Sequence, residues 1–442
     1  MTNPGGNKIS GRIISWALYD FANTIFSMNV VSLFFPLLII DDFSHPDIAV
    51  SAANSISMLI VALTAPLFGQ LTDKLGRSKP LLLIATLLCC LATLAIGILA
   101  LNGTAGDVFW ILILFVVANI SYQVGLVFYN YLLPKVSPAG RMGRTSGIGV
   151  AFGYLGSIVG MILIMPFNEG NIFGMQVPFI VARGRPGTFI PTAILFFVFS
   201  LPLFIFLKEK KTPASAELEQ KALRKFSINN SFSEIWQTLK DSKKYPGFRR
   251  FLIAKFFFQE GIETAIIFMG IYAEKAMGMP DSAKISFLVI ATTGALIGSA
   301  LFGIMTDRIG PLKTLKWILS GWFIALILLL PITGKIPFYI IGVLIGTLLG
   351  GVWTSSRPLL VKLAPPDSVG KFFGLYSLSG KVAAIIGPLI WGLVIFALQG
   401  FGDFIAYRGG VFSLALIILI GRLIINPLST EKIELVTIVR DK

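Results

Sequence analysis

Long apolar runs separated by short polar turns dominate this chain. They fall near residues 13–40, 50–71, 80–101, 108–133, 145–167 and 189–207, then 250–273, 284–304, 314–332, 336–361, 371–398 and 408–426. Each is close to or above the roughly 20 residues an α-helix needs to cross a hydrocarbon layer about 30 Å thick. The pattern predicts an all-α membrane protein with twelve transmembrane helices. The first run is longer than a signal-peptide core and contains Asp20 and Asn23, so it is expected to stay as a spanning helix. One long polar stretch interrupts the pattern, from Lys208 to Arg249, with ten Lys or Arg against five acidic residues. It divides the chain into a six-helix lobe (1–207), a basic cytoplasmic linker (208–249) and a second six-helix lobe (250–442). Within the linker, Phe232, Ile235, Trp236 and Leu239 recur at helical spacing, with Lys240, Lys243 and Lys244 close behind. This predicts an amphipathic helix, lying in the headgroup layer or packed on the ends of the bundles.

The two halves are related. GQLTDKLGRSKPL, from Gly69 to Leu81, returns as GIMTDRIGPLKTL, from Gly303 to Leu315. Gly69, Asp73, Gly76 and Lys79 align with Gly303, Asp307, Gly310 and Lys313 at a constant offset of 234 positions. A second repeat lies in spans five and eleven, where Gly147, Gly153 and Gly160 match Gly374, Gly380 and Gly387 at an offset of 227. Small residues on one helix let a neighbour approach closely where lipid supplies no hydrophobic drive. Two similar bundles in one polypeptide are the build of a two-lobed secondary transporter.

Composition narrows the class. With 55% hydrophobic and only 13% charged residues, a soluble protein could not keep its surface wet. The net charge of +15 could suggest nucleic acid, but its placement says otherwise. Lys8, Arg12, Lys74, Arg77, Lys79, Lys135, Arg141, Arg144, Arg308, Lys313 and Lys316 fall on the side shared by both termini and the linker. Lys and Arg are retained in the cytoplasm, so both termini are expected there, attracted to anionic membrane lipid. Cys89 and Cys90 are adjacent in an apolar run, and His45 is the one histidine. Neither offers a metal set or a nucleophile–base pair, and no GxxxxGK[ST] loop occurs. The expectation is a monomeric, multi-pass membrane protein that is not an enzyme and takes no cofactor, in the cytoplasmic membrane if the source is bacterial.

The polar-loop repeat resembles the signature loop of the major facilitator superfamily. SWALYDFANTIF (15–26), LPKVSPAGRMGRTSGIGVAFGYLGS (133–157), SRPLLVKLAPP (356–366) and FFGLYSLSGKVAAIIGP (372–388) are similar to the Atg22-like (vacuole effluxer-like, UMF1) family. The resemblance implies a two-lobed fold and transport. Fungal members are associated with releasing amino acids from the vacuole. In the superfamily loop, Gly69, Asp73, Gly76 and Arg77, with Asp307 and Arg308 in the second copy, would form a cytoplasmic gate, Asp73 pairing with loop cations or with a helix N-terminus. The other reading of this loop is a topology determinant. Pro311 stands where the first copy has Arg77, which implies a weaker charge network in the second lobe. Arg357, near the cytoplasmic end of span ten, joins the gate set.

Ionisable groups deep in spanning helices cost about 2.5–3.5 kcal/mol each on insertion scales, which makes them functional candidates. Asp20 lies about 12 Å into span one, Glu260 and Glu263 about 15 and 20 Å into span seven, and Lys381 about 15 Å into span eleven. Lys255, about 8 Å into span seven, is expected to snorkel to the cytoplasm. In the superfamily, spans one, four, seven and ten with two, five, eight and eleven line the cavity. The candidate substrate-binding or proton-coupling set is therefore Asp20, Asn23, Tyr129, Asn130, Glu260, Glu263 and Lys381. A carboxylate there could take and release a proton as the cavity changes sides, with Lys381 holding a substrate carboxylate or serving as counter-ion. Structural ion pairs are the competing reading. The expected function is proton-coupled alternating access for a small zwitterion such as an amino acid. An exporter of lipophilic or cationic compounds, or a membrane sensor or scaffold without transport, remain alternatives.

Overall fold

The computed structural model describes residues 10–102, 105–172, 175–209, 245–279 and 281–429. The amphipathic linker helix expected around Trp236 lies outside them. The described residues form twelve long helices: α1 (Gly11–Asp42), α2 (Asp47–Leu75), α3 (Lys79–Asn102), α4 (Val108–Tyr131), α5 (Met142–Glu169) and α6 (Phe189–Phe206), then α7 (Pro246–Lys275), α8 (Asp281–Ile309), α9 (Pro311–Leu329), α10 (Lys335–Leu363), α11 (Val369–Leu398) and α12 (Asp403–Ile425). Helices suit this solvent because they satisfy every backbone group internally where no water is available. Eleven of the twelve are long and apolar enough to cross a membrane by length and composition. The other is α7, equally long at 30 residues, but diluted by Lys255, Gln259, Glu260 and Glu263. Its departure from the apolar pattern is the first structural pointer to function.

Breaks are placed by residues that cannot continue a helix. The polar loop turns at Gly76 (φ +66°) and its repeat at Gly310 (φ +89°), left-handed positions that favour glycine. The second half of α1 winds more widely than an α-helix, with bonds such as Phe43 N–H to Leu38 O (3.0 Å). Pro36, which has no N–H to donate, sits in this stretch, and the Asn29 amide donates to Ile25 O (3.0 Å). A short hairpin, β1 (Asn171–Ile172) with β2 (Met175–Gln176), follows α5.

The chain packs as two units. The first draws on Met1–Val61, Gly76–Pro138 and Ile148–Ala216; the second on Ala62–Leu75, Ala139–Gly147 and Glu217–Lys442. The end of α2 and the start of α5 thus belong to the second unit, although both helices come from the first half of the sequence. The first unit has an aromatic core: Phe35 stacks on Phe115 (centroids 3.8 Å apart), and Phe26 lies against Phe196 (6.0 Å). In the second unit, Trp322, Phe248 and Phe251 are fully buried. There α8 and α10 make the most extensive helix contact, backbone against backbone. A methyl group on Gly298 would meet the carbonyl of Thr347, and one on Gly346 or Gly350 those of Ala291 or Ala295. Outward-facing side chains such as Leu91, Trp317 and Phe396 are apolar and exposed, as a lipid-facing surface requires.

Candidate functional site

In the first unit, the candidate residues gather where α1 meets α4 and α5. Trp16 stacks on Tyr129 (centroids 4.5 Å, planes 7° apart) and its indole N–H donates to the Tyr129 carbonyl (3.2 Å). Tyr19 stacks on the other part of this group (5.3 Å from Tyr129) and shares a hydrogen bond with Thr86 (2.9 Å). Tyr129 is thus held within an aromatic stack. One turn along α1, Asp20 is buried, 5% exposed. It lies against Gly153 of α5, where a Cβ would be 3.5 Å from its carboxyl carbon. Thr24 locks the same crossing by donating to Gly153 O (2.6 Å). Asn23 is buried too, and its Oδ1, like that of half-buried Asn130, meets no hydrogen-bond partner among the described residues.

The second unit carries the equivalent seam, between α7 and α11. Gly380 faces Gln259 and Lys255, as Gly153 faces Thr24 and Asp20. Gly387 faces Glu260 and Thr264, as Gly160 faces Ile25 and Asn29. All four pairs obey one offset of 235 positions, so Asp20 and Lys255 occupy the same place in the two repeats with opposite charge. Lys255 does not snorkel to the surface. It is 1% exposed, donates to Tyr376 O (2.9 Å) and lies over the Tyr376 ring, 3.9 Å from its centroid. The expectation fails because α7 begins at Pro246, four residues before the assumed start. That places Lys255 about 14 Å along the helix, beyond comfortable reach of its end. Gln259 donates to Glu263 (2.6 Å), and Glu263 acts electrostatically on both Lys255 and Lys381. Glu260 is 1% exposed on the Gly387 side, with Oε1 unpaired among the described residues. Lys255 was legible in principle: repeating α1 onto α7 at the offset of 235 lands Asp20 on it.

The polar loops form a second, symmetric feature, contained in the second unit. The N–H groups of Gly370 and Lys371 donate to Asp73 Oδ1 and Oδ2 (2.7 Å each). Those of Gly143 and Arg144 donate to Asp307 Oδ1 and Oδ2 (2.7 and 3.1 Å), and the Arg144 guanidinium lies 3.7 Å away. Each carboxylate caps the first turn of a helix, Asp73 that of α11 and Asp307 that of α5, at the positive end of its dipole. Glycines let the backbones close: a Cβ on Gly69 would overlap Gly370 O, and one on Gly143 would lie 2.7 Å from Gly303 O. Arg308 is exposed, Arg77 is half-buried in the first unit, and Arg357 lies within electrostatic reach of Tyr376. Asp73→Ala and Asp307→Ala are each expected to cost about 1–2 kcal/mol, read as a lower melting temperature in detergent.

Comparison with known proteins agrees with this architecture. The family model for the Major Facilitator Superfamily matches residues 21–388 and, separately, 251–435. The chain is 27% identical over 430 residues to the uncharacterized MFS-type transporter YxiO of Bacillus subtilis (strain 168), covering 93% of each. With autophagy-related protein 22 of Kluyveromyces lactis it shares 24% identity over 373 residues, 77% of this chain and 72% of that one. A bacterial homologue of the iron transporter ferroportin, solved in an outward-facing state, superposes with a TM-score of 0.69 at 14% identity, over 94% of this chain and 97% of its own. That likeness concerns the fold alone. Because the model matches most of its length and a duplicated helical bundle underlies the match, the chain belongs to the major facilitator superfamily, as a multi-pass secondary transporter distantly related to YxiO and the Atg22 proteins.

Proposed function

We propose that this transporter moves a small zwitterionic solute, such as an amino acid, together with protons by alternating access. The observation that carries this reading is the opposite charge of Asp20 and Lys255, buried at equivalent places of the two repeats. Holding one ion of each sign in apolar surroundings is costly, which marks both as functional. Asp20 and Glu260 take and release the proton, and the lysines of the second unit receive the solute's carboxylate. The lobes 1–207 and 250–442 move, with 208–249 as their tether. The Asp73 and Asp307 caps close the end of the molecule that carries the polar loops and part during the cycle. That end, with both termini, faces the cytoplasm, because the basic loop residues collect there.

The test is flux into proteoliposomes loaded with a pH-sensitive dye. A labelled mixture of common L-amino acids is expected to enter with a matching proton movement, and a protonophore is expected to abolish accumulation. Accumulation unaffected by the protonophore would remove the coupling. Extrusion of lipophilic cations without any amino-acid flux would replace the reading with a drug-type exporter.

A further inference from the structure

Within the seam between α7 and α11, the two lysines outnumber the one carboxylate that acts on them. Lys255 and Lys381 share Glu263, while Glu260 is turned toward Gly387 and Thr264. Around this cluster, α11 contributes Lys381 and Tyr376, and α10 contributes Arg357, which acts on Tyr376. On α12, Arg408 donates to Ile332 O (2.7 Å), Arg422 donates to Lys316 O (3.0 Å), and Asp403 is exposed in the first turn. On α8, Asp307 and Arg308 lie in the last turn, at the polar-loop end. Lys255, Lys381 and Glu263 thus carry one formal positive charge in excess, with Lys255 fully buried and the other two half-buried. Among the described residues, the Lys255 ammonium meets neutral partners by direct contact, a backbone carbonyl and an aromatic face. Gln259 adds a complementary feature. Its amide nitrogen holds Glu263, and its Oε1 is buried with no hydrogen-bond partner among the described residues.

A surplus cation next to an orphan acceptor fits a ligand with a carboxylate and a neighbouring N–H donor. We infer that Lys255, Lys381, Glu263 and Gln259 form an exchange site for an α-amino carboxylate, in which the solute's carboxylate binds the lysines directly and takes over from Glu263 as their counter-charge. The solute's ammonium donates to Gln259 Oε1, and Glu263 stays tethered to Gln259 Nε2. Gly380 makes the arrangement possible, because a Cβ there would lie 2.6 Å from Gln259 Nε2 and 2.9 Å from Lys255 Nζ. This deepens the zwitterion reading and rests on it for the choice of an amino acid over other carboxylates.

The exchange idea makes an unusual demand: losing one charged residue should improve binding. Thermal shift of the full-length protein in detergent is read against mixtures of common L-amino acids, the matching amino amides, and acetate with lactate. In wild type, the amino acids stabilise and the amides do not. Glu263→Gln removes the resident competitor, so the apparent Kd is expected to fall about tenfold. Lys255→Met abolishes the shift. Gly380→Ala, whose methyl crowds Gln259 Nε2 and Lys255 Nζ, weakens it while the protein still gives a single cooperative melt. This variant keeps the test valid if Lys255→Met does not fold. Unchanged or weaker binding in Glu263→Gln overturns the exchange site, as does an amino-acid shift that survives Lys255→Met. If acetate and lactate stabilise the protein and the amino acids do not, with Lys255→Met abolishing the effect, the anion site stands and the zwitterion reading fails.

Discussion

Asp20→Asn is expected to reduce solute flux by about 100-fold, equivalent to losing about 2.7 kcal/mol from a charge-assisted contact. Asparagine keeps the shape of the side chain, so its fit against Gly153 and the Thr24 hydrogen bond to Gly153 O (2.6 Å) should survive. Insertion should not suffer either. A charge at this depth costs about 2.5–3.5 kcal/mol, and the substitution relieves that cost. The expected signature is therefore lost transport with an equal or higher melting temperature. Initial rates in proteoliposomes and a melt in detergent separate the outcomes. Retained flux with a fallen melting temperature would make Asp20 a structural residue and remove it from the mechanism.

The second large effect concerns folding. Gly346→Leu is expected to destabilise the second unit by about 3 kcal/mol or more, because the new side chain would have to displace backbone rather than a rotamer. Even a methyl group at this position overlaps Ala291 O, and Gly298 across the same crossing is equally tight against Thr347. The added apolar area brings no return, since lipid tails are as apolar as leucine. Gly392→Ala serves as the control: nothing lies within 4 Å of a Cβ there, and it should melt like wild type. The readout is the melting temperature together with the yield of monodisperse protein. Equal behaviour of the two variants would show that α8 and α10 separate without penalty.

Much of the architecture was legible along the chain because it depends on local properties. Run length and apolarity place the helices, and the polar-loop repeat at 234 with the glycine repeat at 227 exposes the duplication. What the repeats do to each other was not legible. Asp73 and Asp307 are related by the first offset, and the amides they cap, Gly143 with Arg144 and Gly370 with Lys371, by the second. Each motif is visible alone, but their pairing joins residues between 163 and 298 positions apart and exists only after packing. Asp20, Glu260, Glu263 and Lys381 stood out because charge in an apolar run is conspicuous whatever surrounds it. Lys255 did not, because its depth depends on where α7 begins, and proline and glycine at 246 and 247 concealed that start.

The sequence by itself determined that this is a duplicated, all-helical membrane transporter, since hydropathy and repetition are one-dimensional and act residue by residue. Only the tertiary structure decided which charges face which. It turned Lys255 inward onto Tyr376, left Glu263 rather than Glu260 as the carboxylate acting electrostatically on the lysines, and placed Gly153 and Gly380 where the seams need room. The reason is physical. In lipid every buried ion must find its partner within a few ångströms, and those distances are fixed by how helices cross, not by the order in which they are strung.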